Sequence, residues 1–194
     1  MNTITSDAQD QADMARLAQG HDAALNALME RHGERLFHYF IRLLQNETEA
    51  ADLAQETFVR VYQNRMRFVS GRKFSTWLYA IGTNLARDRL RWRSRHPGVS
   101  LEAEADGESG FKQVLPSCQP TPREALEAEE RAAAVRRALA ELPEDLRVPL
   151  VLAEYEEQSY AEIAAVLDCS AKAVEMRLYR ARQQLRIALA SLLP

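Results

Sequence analysis

The stretch SYAEIAAVLDCSAKAVEMRLYRARQQLR, residues 159–186, indicates two helices separated by a short turn. Its apolar residues recur at three- and four-residue steps, which is the period of an amphipathic helix. Ser159 is suited to cap the first helix, and Asp168 tolerates the left-handed backbone of a turn. The pattern is typical of a helix-turn-helix. The residues expected to form its core are Ile163, Val166, Leu167, Val174, Leu178 and Ala181.

The second of these helices carries a cluster of basic residues, although the whole chain has a net charge of −3. With the apolar residues facing the first helix, we expect Lys172, Arg177, Arg180 and Arg182 to face solvent. A basic face on this helix indicates binding to duplex DNA. For Arg182 and Arg186, near the helix C-terminus, the alternative is that they only complement the helix dipole.

The N-terminal half has helical periodicity over residues 8–94 and a sharp division of charge. Met1–Val59 has four basic against ten acidic residues, and Arg60–Arg95 has ten against one. The basic part includes FSTWLYAIGTNLARDRLRWRSR, which interleaves aromatic residues with arginines. Since aromatic rings stack on unpaired bases and arginines bind phosphates, this combination favours single-stranded DNA. For Trp77 a place in the hydrophobic core is an equally good interpretation.

Between the two helical blocks lies a segment with no helical period. Residues 96–123 hold four of the seven prolines and three of the seven glycines, a composition typical of a flexible linker. We therefore predict an all-α protein of two domains. A helical bundle would occupy residues 8–95, and a helix-turn-helix domain would occupy residues 124–194.

Three local signals predict where helices begin. Thr48 would be the N-cap of the helix that contains AADLAQETFVRVY, and Ser75 or Thr76 would cap the helix that contains the arginine-rich segment. Pro149 would lie early in its helix, where a proline is least costly.

No pattern in the sequence indicates an enzyme. Cys118 and Cys169 are far apart in sequence, and the four histidines lack the spacing of metal ligands, so we expect no catalytic site, metal or cofactor. The N-terminus lacks the features of a signal peptide, and no apolar run approaches eighteen residues. We therefore expect no membrane insertion and a cytoplasmic location.

Three segments, in this order and at this separation, resemble the extracytoplasmic-function class of bacterial sigma factors in the sigma-seventy family. AADLAQETFVRVY, residues 50–62, is similar to the helix with which that family binds core polymerase. FSTWLYAIGTNLARDRLR, residues 74–91, is similar to its promoter-melting and minus-ten segment. Residues 141–186 are similar to its minus-thirty-five-binding domain.

The resemblance implies an alternative sigma factor that binds core RNA polymerase, recognises promoter DNA and promotes strand opening. It also implies an anti-sigma factor as a partner, and DNA-binding surfaces that stay occluded until polymerase separates the domains. The alternative function is that of a stand-alone helix-turn-helix transcriptional regulator. Such a regulator would have no use for a polymerase-binding helix, so that segment favours the sigma factor.

The resemblance also implies contact residues for each segment. The polymerase-binding residues would be Asp52, Gln55 and Glu56. The loop VSGRK, residues 69–73, would hold a flipped base of the minus-ten element. On the helix that follows, the minus-ten residues would be Trp77, Asn84, Arg87, Asp88 and Arg91.

In the C-terminal domain, the residues implied to bind the minus-thirty-five element are Lys172, Glu175, Arg177 and Arg180. Glu175 and Met176 depart from the Lys or Arg followed by Ser that is frequent in the family. A glutamate accepts a hydrogen bond from the amino group of cytosine, so this departure indicates a change in promoter preference.

Overall fold

The computed structural model describes residues 3–96 and 122–190, and all regular secondary structure in these ranges is helical. The predicted all-α class is confirmed. The N-terminal helices are α1 (Thr3–Ala18), α2 (Ala23–Leu44), α3 (Glu47–Gln63) and α4 (Phe74–Arg95), with a 3-10 turn at Arg65–Arg67. The C-terminal helices are α5 (Pro122–Glu141), α6 (Glu144–Glu154), α7 (Tyr160–Leu167) and α8 (Ala171–Ala188). Most of the predicted linker lies outside the described residues.

Helices α2, α3 and α4 form a bundle around one apolar core. Gly82 of α4 lies so close to α2 that a Cβ atom there would come within 3.0 Å of the Phe40 ring. The hydroxyl groups of Tyr39 and Thr83 are 2.7 Å apart and fully buried, which satisfies both groups away from water. The fully buried side chains of this core include Leu28, Leu36, Tyr39, Phe40, Leu43 and Phe74.

Helices α7 and α8 form the predicted helix-turn-helix. The hydroxyl oxygen of Ser159 accepts from the backbone N–H of Glu162, and the Glu162 carboxylate accepts from the backbone N–H of Ser159, which completes a capping box. Asp168 ends α7 with a φ of 49°, in the left-handed region. All six residues expected in this core are buried.

The other predicted helix starts are wrong in detail. Asn46 caps α3, because its side chain accepts from the backbone N–H of Glu49 at 2.9 Å, and Thr48 lies inside the helix. Lys73 precedes α4 and makes no side-chain cap, so neither Ser75 nor Thr76 is its N-cap. Pro149 lies beyond the first turn of α6, where a proline removes one backbone hydrogen bond of the helix.

The two domains are in contact in this structure. Helix α4 packs on α7, and α2 packs on α5 and α6. The guanidinium of Arg147 in α6 donates to the backbone carbonyl of Leu43 at 2.7 Å, which links α6 to the end of α2. No helix in the described ranges has the length and apolar character needed to cross a bilayer.

Candidate nucleic-acid and polymerase interfaces

The exposed face of α3 carries the three residues implied to bind polymerase. Asp52 and Gln55 are exposed, and Glu56 is partly exposed and accepts from the guanidinium of Arg60 at 2.7 Å. Val59 is 46% exposed on the same helix. The face therefore combines an apolar side chain with a surrounding acidic and polar rim, a composition suited to a protein interface.

A groove between α3 and α4 adjoins this face. It joins the polymerase-binding candidates to the minus-ten candidates, because Glu56 lies on one wall and Asp88 on the other. Trp92 forms part of the groove and is 38% exposed. From the sequence, Trp92 is only one of the aromatic residues that alternate with arginines in the basic segment, and nothing there indicates a groove. The residues lining the groove are Leu53, Glu56, Arg60, Leu85, Asp88, Arg89 and Trp92.

One face of α4 brings together most of the minus-ten candidates. Asn84, Asp88 and Arg91 are exposed, and their spacing of four and three residues puts them on one side of the helix. An oxygen of Asp88 lies 3.9 Å from a guanidinium nitrogen of Arg91. Arg87 does not join them, since its guanidinium is 2.9 Å from the Glu144 carboxylate in the C-terminal domain.

Trp77 lies between the hydrophobic core and solvent, so its environment is compatible both with a place in the core and with stacking on an unpaired base. Its ring lies 5.3 Å from the Phe68 ring and 6.3 Å from the Phe74 ring, centroid to centroid, at the edge of the core. It is only partly buried. The exposed part lies on the same side of α4 as Asn84, so one ring both packs in the bundle and meets solvent.

The loop 69–73 immediately precedes α4. The N–H of Arg72 donates to the carbonyl of Val69 at 3.2 Å, which closes a four-residue turn. Gly71 has a φ of 88°, as the third residue of a type II turn requires. Residues 69–72 of this loop are exposed, and they lie between Phe68 and Phe74, whose rings contact each other and Trp77.

On α8, Lys172, Glu175 and Arg180 are exposed as expected. Lys172 Nζ is 2.9 Å from the Glu175 carboxylate, so each charge partly neutralises the other. Arg177 differs from the expectation of a solvent-facing side chain. It is partly buried, and its guanidinium lies 3.7 Å from Cys169 Sγ, because the turn before α8 folds back beside it.

Glu156 lies at the centre of the contact between the domains, and the sequence did not indicate this role. Its buried carboxylate accepts from the Tyr79 hydroxyl of α4. The nearest guanidinium nitrogens of Arg35 and Arg42, both on α2, are 3.6 and 3.7 Å away. Burial raises the pKa of Glu156 by more than the hydrogen bond from Tyr79 and the nearby positive charges lower it.

A second contact between the domains involves the loop that precedes α4. Lys73 Nζ donates to the Glu162 carboxylate at 2.9 Å, and Glu162 belongs to the capping box of α7. Burial opposes ionisation of Glu162, but the hydrogen bonds from Ser159 and Lys73 outweigh it and hold the pKa of this carboxyl below its usual value. The cap of α7 therefore also holds the loop.

Two separate parts of the chain match known protein families. The family described as Sigma-70 region 2 matches residues 28–96, and the family described as Sigma-70, region 4 matches residues 132–185. The RNA polymerase sigma-H factor of Pseudomonas aeruginosa is 33% identical over 190 residues, which cover 95% of this chain and 96% of that protein. The ECF RNA polymerase sigma factor SigW of Bacillus subtilis is 33% identical over 174 residues, covering 88% of this chain and 91% of SigW.

Solved structures also match the fold of this chain over most of its length. The structure of CnrH in complex with the cytosolic domain of CnrY matches with a TM-score of 0.70 and 30% identity, over 94% of this chain and 98% of the matched chain. The sigma factor RpoE of Bartonella quintana, in complex with the anti-sigma factor NepR, shares the fold with a TM-score of 0.66 and 23% identity, over 85% of this chain and 96% of the matched chain.

The chain therefore belongs to the extracytoplasmic-function class of the sigma-70 family of RNA polymerase sigma factors. It is an alternative sigma factor, a class of protein that binds core RNA polymerase and promoter DNA. Relatives of this class match it along nearly its whole length. A stand-alone helix-turn-helix regulator is less well supported, because it would account only for the C-terminal domain.

Proposed function

We propose that this sigma factor divides promoter recognition between surfaces of different chemistry, on two domains spanning residues 8–95 and 124–194. The loop 69–73 and the exposed face of α4 bind the opened minus-ten strand. The exposed residues of α8 bind the minus-thirty-five duplex. It acts in the cytoplasm as a binding factor without catalytic chemistry of its own.

The arrangement at the start of α4 is the observation that carries this proposal. An exposed loop with a turn at Gly71 precedes a partly exposed tryptophan, and Asn84 and Arg91 continue along the same side of the helix. Stacking on a ring and ion pairing with phosphates are the two interactions that unpaired DNA offers most readily. In contrast, α8 offers charged side chains on one helix, the form that fits a major groove.

The α3 face completes the proposed function as the site of polymerase docking. Asp52 and Gln55 are exposed beside Val59, which is 46% exposed, and an apolar side chain with a polar and acidic rim suits a protein interface. A docked polymerase would cover Val59 and extend to the groove in which Trp92 lies. Binding to polymerase and binding to the opened strand would then occur on adjoining surfaces of one bundle.

Run-off transcription with core RNA polymerase and a library of genomic promoter fragments tests this function. We expect transcripts that require this protein and start downstream of a shared pair of promoter elements. Mutation of either element should abolish its transcript, and core polymerase alone is the control. Transcripts that do not depend on the protein, or the absence of any transcript, would contradict the proposal.

We further propose that an anti-sigma factor binds this chain through an acidic amphipathic helix. A groove of about 290 Å³ lies between the C-terminal end of α2, helix α5 and Tyr155, which follows α6, so a helix bound there would contact both domains. The floor of the groove is apolar, with Ile41, Val135 and Leu139, whereas Arg131 is an exposed residue at its rim. Opposite charge would steer an acidic helix to this groove.

Substitution at the rim of this groove tests the proposed partner. Arg131→Glu should raise transcription from the promoters of this factor in cells, because the regulator is repelled. The variant should leave run-off transcription with purified core polymerase unchanged. Arg137→Glu, an exposed arginine on the same helix that does not line the groove, is the matched control. Equal behaviour of the two variants in cells would contradict this docking site.

A further inference from the structure

Helix α1 precedes the part of the chain that matches Sigma-70 region 2, yet it is firmly attached to the bundle. Asp10 is fully buried and Asp13 is 6% exposed. Arg31 of α2 donates to both carboxylates, at 2.9 Å to Asp10 and 2.5 Å to Asp13, and His32 Nε2 lies 2.8 Å from Asp10. Charged hydrogen bonds in a buried setting fix the register of the two helices, because any shift would leave a carboxylate unpaired.

Gln11, which lies between these two aspartates, binds the loop that precedes α4. The backbone N–H of Gly71 donates to Gln11 Oε1 at 3.2 Å, and Gln11 Nε2 donates to the backbone carbonyl of Arg72. The two contacts join residues 60 and 61 positions apart in the sequence. The primary amide of Gln11 supplies both the acceptor and the donor that these two backbone groups need.

The loop has little else within its own domain to hold its shape. The turn from Val69 to Arg72 is closed by one backbone hydrogen bond, and its residues from 69 to 72 are exposed. Gly71 has a positive φ of 88° and no side chain that could pack against the bundle. An exposed turn of this kind would sample several conformations if it were not held from outside.

The other contact to the loop depends on the relative position of the domains. Lys73 is bound by Glu162, which lies on α7 in the C-terminal domain. If the domains separate on polymerase, as the resemblance implies, this contact is lost. The contact with Gln11 is retained because α1 belongs to the same domain as the loop. Gln11 would therefore still hold the loop in the state that binds promoter DNA.

We propose that Gln11 is a positioning residue for promoter opening. By holding the backbone of Gly71 and Arg72, it keeps the loop in the shape that receives the flipped minus-ten base. This inference rests on the proposed role of the loop 69–73. Gln11 itself acts through the loop and does not contact DNA. A preordered loop binds its base more tightly because less conformational freedom is lost on binding.

The test compares Gln11→Ala with Gln9→Ala, which removes an exposed glutamine two residues earlier on the same helix. Each variant is assembled with core polymerase and titrated with single-stranded oligonucleotides that carry the minus-ten sequence found by run-off transcription, or single-base substitutions of it. Gln11→Ala should lower discrimination at the captured base by about tenfold, the effect of losing two modest hydrogen bonds. Affinities for core polymerase and for minus-thirty-five duplex should not change, and Gln9→Ala should behave as the original protein.

Two further variants separate the possible outcomes. Gln11→Glu retains an acceptor for Gly71 but cannot donate to Arg72, so it should lose discrimination as well. Gly71→Val changes the loop itself and tests its role in base capture. If Gly71→Val alters base preference and Gln11→Ala does not, the inference about Gln11 is overturned and the proposed role of the loop is retained. If neither alters base preference, the role of the loop is also wrong. An equal loss for core polymerase and duplex DNA in Gln11→Ala would indicate a general structural role and would overturn the inference.

Discussion

Single residues on the α3 face differ in how freely they can contact a partner. Asp52 is exposed, whereas Glu56 already has an ion pair with Arg60. We expect Asp52→Arg to weaken association with core polymerase by about 2 kcal/mol or more if the contact excludes water. The free energy of unfolding should change by no more than about 0.5 kcal/mol, as is usual for surface residues.

A binding titration with core polymerase checks this expectation. Glu30→Arg, which reverses an exposed acidic residue on α2, is the control for the change in net charge. Equal affinity of the Asp52→Arg variant and the original protein would show that this face does not bind polymerase.

Lys172 allows a second prediction for a single residue. Its ammonium group is exposed but lies 2.9 Å from the Glu175 carboxylate. If Lys172 binds a phosphate, Lys172→Ala should weaken binding of the holoenzyme to promoter duplex and reduce the slope of affinity against salt concentration by about one. If it reads a base, sequence preference should change instead. Unchanged binding at every salt concentration would contradict contact between Lys172 and DNA.

Helix α7 shows how one element connects local capping to the contact between domains. The capping box between Ser159 and Glu162 satisfies backbone groups at the start of α7, and Glu162 also binds Lys73. We expect Ser159→Ala to lower the free energy of unfolding by about 1 kcal/mol, the usual effect of losing an N-cap. Urea denaturation measures it, with Ser94→Ala at the exposed end of α4 as a control. A change below about 0.3 kcal/mol would contradict the capping role, since only a Gly replacement costs so little.

The ends of helices differ in how well sequence predicts them. Ser159 and Asp168 were predicted correctly because each is the one suitable residue at its position. Asn46 and Thr48 are both good caps within three residues, so local preference could not decide between them. Lys73 precedes α4 without a side-chain cap. Because α4 has no side-chain cap, its start is set by the turn at Gly71 and by the burial of Phe74. Both features depend on tertiary structure, so local sequence preference does not predict them.

At the scale of the whole molecule, the contact between the domains was the feature least accessible from sequence. Glu156 stands in an acidic run, EYEEQ, that is typical of an exposed surface. It is buried because two helices of the other domain cover it. The same holds for Arg87, which pairs with Glu144 and not with the neighbouring minus-ten candidates. The spacing of apolar residues predicts the helices within each domain, but it does not predict contacts between the domains.

The raised pKa of Glu156 makes the contact between the domains sensitive to pH. The closed arrangement binds a proton more tightly than separated domains would, because burial raises the pKa of this carboxyl above its ordinary value of 4.5. The contact is therefore most stable below that value and weakens as the pH rises through the raised pKa. The titratable and charged groups that face Glu156 are Arg35, His38, Arg42 and Tyr79.

Small-angle X-ray scattering of the free protein measures this opening. The radius of gyration should increase as the pH rises through the raised pKa of Glu156, which lies above the ordinary value of 4.5. Glu156→Gln should remove most of this dependence, and Glu157→Gln, an exposed neighbour, should retain it. The same pH response in both variants would assign the effect to other groups.

Permanganate footprinting of promoter DNA with the holoenzyme measures strand opening by α4 most directly. Asn84→Ala and Arg91→Ala remove exposed side chains from the proposed minus-ten face, and Arg137→Ala removes an exposed arginine elsewhere. On duplex promoters the first two variants should show reduced reactivity of unpaired thymines, whereas Arg137→Ala should not. A template with a pre-opened bubble should restore transcription by both, because the strands no longer need to be separated. Full reactivity on duplex DNA, or an equal defect on both templates, would contradict the role of this face in opening the promoter.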